Sequence, residues 1–182
     1  MEQREEFAES FGGFLFDYAE EVTAEFEGAD RIPLNLSLQY FETIVFLFAR
    51  TGSILPYFAV DEAVVTAMKI SVKDRMLQEF GTADPDRLSE AFERRLAEYV
   101  ALSEKSAPFS ERWYTGMFAL FRDAMTEAGR AGRVFIWNID REASGEAAVN
   151  PDMMLEMVHR AEIRHIVPFQ RLVINFFNFQ TE

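Results

Sequence analysis

The sequence predicts an all-α fold, a single-domain bundle of six to seven helices spanning residues 1–182. Three observations carry that prediction. Apolar residues recur at helical spacing through most of the chain. Asp84-Pro85 and Asn150-Pro151 both read as helix starts, an N-cap residue followed by proline at the first helical position. Strand-like patterning is confined to one short run, residues 134–139, with no internal repeat around it.

Each element follows from its own pattern. Over residues 3–27, Phe7, Phe11, Phe14, Tyr18 and Val22 form one stripe by steps of four, three, four and four. Glu5, Glu6, Glu9, Asp17, Glu20, Glu21 and Glu27 occupy the opposite face. Gly12-Gly13 interrupts this helix at a cost of about 1 kcal/mol per glycine relative to alanine. Either the helix bends there or another backbone packs close. Residues 28–33 break the chain, and Leu34, Leu36 and Leu38 alternate briefly before a helix at about 38–50. That helix is apolar nearly all round, with Gln39, Glu42, Thr43 and Arg50 as its narrow polar arc, so it belongs at the centre of the domain.

Residues 57–80 read as the next helix, with Asp61 as a candidate N-cap and Gly81 just beyond its end. Asp84-Pro85 opens a helix to about residue 105 that buries Leu88, Phe92, Leu96, Tyr99 and Leu102, with Arg95 inside the same arc. Trp113, Met117, Leu120, Phe121, Ala124 and Ala128 line one side of a helix at about 109–129, which Tyr114, Phe118 and Met125 widen. Residues 129–150 form a long irregular connection. Its run 134–139 could pair with residues 34–38 as a two-stranded ribbon. The final helix starts at Asn150-Pro151, bends at Pro168 and ends in the apolar tail Leu172, Val173, Phe176, Phe177 and Phe179. More apolar helix surface exists than one small core uses, which predicts a homodimer through aromatic helix faces.

Composition narrows the function classes. With 31 acidic and 18 basic residues, the net charge is −13. Residues 1–30 hold ten acids and one base, Arg4, a net of −9. Nucleic-acid binding rests on clustered Lys and Arg, so no nucleic-acid partner is expected. Zero cysteines exclude a disulfide framework, a Cys-based zinc site, an iron–sulfur cluster and a thiol nucleophile. The first six residues lack a basic and apolar signal pattern. The most apolar stretch, residues 40–49, is half of the ~20 residues a membrane span needs. The expectation is a cytoplasmic protein with no membrane contact and no cofactor.

The run Ala49-Arg50-Thr51-Gly52-Ser53-Ile54-Leu55-Pro56-Tyr57-Phe58, the chain length and the helices that follow resemble TetR-type regulators. In that family a DNA-reading helix-turn-helix ends near a Tyr-x-x-Phe-like element and a helical ligand domain follows. This chain departs from the pattern. Residues 1–66 hold three bases and thirteen acids, a net of −10, and residues 44–48 are apolar where a recognition helix faces phosphates. The resemblance therefore implies a helical, dimer-forming ligand-domain architecture without DNA binding.

Chemical motifs are few. The phosphate-binding loop, the dinucleotide fingerprint, G-x-S-x-G and H-E-x-x-H are all missing. Glu156-x-x-His159 and Glu162-x-x-His165 have the carboxylate–imidazole spacing of di-iron and di-manganese bundles. The two copies are about 600° apart on one helix, about 240° net, so they cannot face one site. His165 shares an arc with Met154, Val158, Ala161 and Leu172, which makes Glu162 and His165 the candidate metal ligands. Glu42, alone in an apolar helix, needs a partner, and Arg50 or Arg95 can supply it. A pocket reading takes His165, Glu162, Glu42 and Arg95 as polar contacts, with Trp113 and Phe121 as walls.

These observations favour a non-enzymatic interaction or regulatory protein, with a possible protein partner on the acidic aromatic first helix. A small-molecule-binding helical domain and a carboxylate–histidine metal protein are the alternatives.

Overall fold

The computed structural model describes residues 2–27, 36–52, 61–80, 84–107 and 110–130, together with Arg164, residues 171–173 and Asn175. The described residues are almost wholly helical and contain no strand, so the fold is all-α. Five helices have complete bounds: α1 (Glu2–Glu27), α2 (Leu36–Gly52), α3 (Glu62–Phe80), α4 (Pro85–Lys105) and α5 (Glu111–Arg130). Helical backbone recurs at Arg164 and at 171–173. The expected connection lies outside the described residues from 131 to 150, while residues 129 and 130 belong to α5. The ribbon pairing of 34–38 does not form as drawn, because Leu36 and Leu38 are already in α2. Their i, i+2 alternation is too short to outweigh the long apolar helix that follows them.

Local signals set the helix starts. Asp61 Oδ1 accepts from the Ala63 N–H at 2.9 Å and opens α3. Asp84 Oδ1 accepts from the Arg87 N–H at 3.1 Å, with Pro85 in the first turn of α4. Ser110 Oγ accepts from the Trp113 N–H at 3.3 Å at the start of α5. Each side chain satisfies a backbone donor that the helix itself cannot.

Helix α2 is central. It packs against α1, α4 and α5, and every residue from Phe41 to Thr51 is buried. Phe46 and Phe48 lie two positions apart, about 200° around the helix, so they face opposite ways. Phe46 meets Tyr99 of α4 and Phe118 and Phe121 of α5. Phe48 meets Phe11 of α1 and Phe92 of α4. A helix with neighbours on both sides must be apolar on both sides, which is the pattern read in its sequence.

Helices α1 and α3 run parallel. Arg4 pairs with Asp61, Gly12 lies against Ser71, and Gly13 lies near Arg75, so the contacts advance together along both helices. This approach explains Gly12, while Gly13 has room for a methyl group. A Cβ on Gly12 would come within 2.9 Å of Ser71 Oγ, and α1 continues helical through both residues. Phe7, Phe11 and Tyr18 are buried within the protomer along with Ala8, Leu15, Phe16 and Ala19, while Phe14 is half-buried. The aromatic residues that the sequence singles out on α1 and α2 thus pack largely in the chain's own core. Among the C-terminal tail residues, Val173 is buried and Leu172 packs partly against the core.

Candidate functional site

The most concentrated polar chemistry in the described interior joins α2 to α4. Glu42 is 3% exposed. Its Oε1 accepts from Arg95 Nη2 at 2.6 Å and from the Tyr99 hydroxyl at 2.5 Å. Its Oε2 accepts from Arg95 Nε at 3.1 Å. Arg95 thus holds the carboxylate by two donors of its planar fork, the geometry that favours arginine over lysine at such a site. Arg95 Nη1 reaches Glu98, one turn further along α4.

The sequence spacing explains this convergence. Arg95 and Tyr99 are four residues apart, one above the other on α4. Glu42 and Phe46 have the same spacing on α2, and both face α4. The aromatic ring of Tyr99 completes the core beside Phe46 while its hydroxyl reaches the carboxylate.

Burial, then the adjacent Glu42 carboxylate, raises the Tyr99 pKa well above the ordinary tyrosine value, so Tyr99 stays a neutral donor. Burial acts to lower the Arg95 pKa, but the hydrogen bond and charge of Glu42 outweigh it and hold the guanidinium above its ordinary value. The cluster is a charged pair capped by a phenol, buried at Glu42 and Tyr99 and reaching the surface through Arg95 and Glu98.

Of the two arginines considered for Glu42, Arg95 is the partner. Arg50 is also buried, but its guanidinium lies over the rings of Phe46 at 6.0 Å and Phe118 at 5.5 Å. Trp113 and Phe121 are core residues, each 1% exposed, and the Phe121 ring lies tilted against Phe46 with centroids 4.6 Å apart. Both lie in the core cluster, and Tyr99, which donates to Glu42, packs on the same Phe46. Glu162 and His165 lie outside the described residues. Among the described residues, no three of His, Cys, Asp or Glu are grouped to hold a metal ion.

Tyr99 was expected only as a core residue, and its polar role is new. An arginine inside the apolar arc of its helix, four positions from a tyrosine of the same arc, was the available signal. A second group was not foreseen at all. Lys69 and Lys73 of α3 both donate to Glu93 of α4, at 3.3 and 3.0 Å. Burial acts to raise the Glu93 pKa, but the two ammonium groups prevail and hold its carboxyl below the ordinary glutamate value.

No family model, curated protein or solved structure matches this chain. No helix among the described residues is long and apolar enough to cross a membrane.

Proposed function

We propose that this chain is a non-enzymatic interaction protein, a rigid helical body that presents acidic surface to a protein partner. The observation that carries the reading is the division of its charges. The interior carboxylate Glu42 has both oxygens engaged by Arg95 and Tyr99, an arrangement suited to holding α2 against α4. The exterior carboxylates Glu5, Glu6, Glu9, Asp17 and Glu20 are exposed along one face of the 26-residue α1. Charge at a surface contributes chiefly to encounter rate and partner choice, and it favours a partner with basic surface.

The test is in-cell crosslinking with the intact chain and with a variant carrying Glu5→Lys, Glu9→Lys and Glu20→Lys. These positions are exposed, so circular dichroism and the unfolding midpoint should stay close to the parent's. The expected result is a reproducible crosslinked partner that is lost in the variant. Partners unchanged by charge reversal would count against the reading.

A further inference from the structure

Helices α3 and α4 form an antiparallel pair, with Leu77 near Leu88 close to their connection and Lys73 and Lys69 reaching Glu93 further along. Between them lies a cleft of about 290 Å³. Its apolar lining includes Leu77, Leu88, Ile70 and Pro85. Leu88 is fully buried, and Ile70 is one of two large hydrophobic residues left exposed among the described residues, at 52%. Asp74 and Asp86 line the same cleft from the two helices.

The charges around this cleft are not balanced. Lys73, its basic lining residue, points to Glu93, which it shares with Lys69, against two lining carboxylates. Neither Asp74 nor Asp86 has an ion-pair partner among the described residues. An apolar cleft rimmed by two carboxylates with no ion-pair partner among the described residues matches an occupant with the opposite charge. Its volume is at the bottom of the range for small-molecule sites, about 300–1,000 Å³. It is open along one side, which suits a side chain or two of a docked segment better than an engulfed ligand.

We propose that the α3–α4 cleft docks a basic amphipathic segment of a protein partner. One bulky aliphatic side chain rests on Ile70 and Leu77, and flanking lysines or arginines face Asp74 and Asp86. The proposal rests on the interaction-protein reading and adds to the acidic face of α1 a second surface with a stated partner chemistry. Helix-in-groove recognition of this kind combines an apolar anchor with charge complementarity at the rim.

The probe is a fluorescein-labelled amphipathic helix of leucine and lysine, compared with a leucine–glutamate helix of equal length, against the full chain. The leucine–lysine helix should bind by fluorescence anisotropy and shift the amide resonances of Ile70, Leu77, Leu88 and Ser89. The leucine–glutamate helix should not bind. Replacing both rim carboxylates, Asp74→Asn with Asp86→Asn, should weaken binding by about tenfold, the combined effect of two exposed charge pairs. Ile70→Lys, at an exposed position, should weaken it while leaving the unfolding midpoint nearly unchanged.

Equal affinity for the parent and the double Asn variant overturns the proposal, as does failure of the probe to bind. Resonance shifts confined to the outer face of α1 also overturn the cleft, while leaving the interaction-protein reading intact. Octylammonium ion binding the cleft as tightly as the peptide would replace the protein segment with a small amphiphilic cation and overturn the proposal too. The crosslinking result with the α1 variant is independent of all these outcomes, so the two readings fail separately.

Discussion

Glu42 shows how one residue can be read in part from sequence. A carboxylate within an apolar helix demands a counter-charge, because an unpaired buried charge costs several kcal/mol. Arg95 answers that demand with Tyr99 beside it. Removing one member should therefore be costly and removing both should be tolerated. Arg95→Met alone should lower stability by about 3–5 kcal/mol, because Glu42 is left buried and uncompensated. The double variant Glu42→Leu with Arg95→Met should recover most of that loss, measured by urea unfolding as a double-mutant cycle. Glu93 makes a different prediction. Its folded pKa is depressed, so its pairs with Lys69 and Lys73 stabilise the fold above the ordinary glutamate pKa of 4.5. That contribution is lost as pH falls through the lower folded value. The stability difference between the parent and Glu93→Gln should be present at neutral pH and vanish in acid, as read from unfolding midpoints across that range.

At the scale of the element, the glycine pair of α1 offered two readings, a bend or a close approach, and sequence could not choose. The choice depends on what lies opposite, which is Ser71 and Arg75 of α3. The same contacts separate the two positions. A methyl group on Gly13 would sit 3.5 Å from an Arg75 guanidinium nitrogen, an ordinary contact. Gly13→Ala should therefore gain helix propensity and stabilise the protein by up to about 1 kcal/mol in thermal unfolding. On Gly12 the methyl group would meet Ser71 Oγ at 2.9 Å, which forces the serine to move. Gly12→Ala should gain less than Gly13→Ala, and pairing it with Ser71→Ala should recover the difference. Helix starts were easier to read, because Asp61 and Asp84 act on backbone donors two or three residues away and need no distant partner.

Across the whole molecule, α2 ties the described helices into one core. Phe46 and Phe48 face opposite sides of that helix, so between them they touch α1, α4 and α5. Phe46→Ala should cost about 3–5 kcal/mol, and a loss spread over three helices should lower one shared unfolding transition. Coincident loss of far- and near-ultraviolet circular dichroism is the check, and two separated transitions would contradict it. By itself the sequence determined the helical fold class, the starts of α3 and α4, and the central place of α2. Those features depend on periodicity, on capping over a few residues, and on how much of a helix circumference is apolar. Tertiary structure alone decided that Arg95, not Arg50, meets Glu42, and that Trp113 and Phe121 pack in the core. It likewise decided that Phe7, Phe11, Phe16 and Tyr18 of α1 pack in the chain's own core, and that α3 and α4 leave an apolar cleft between Asp74 and Asp86. Each of these depends on how residues far apart in the chain are brought together, and helical periodicity carries no information about which faces meet.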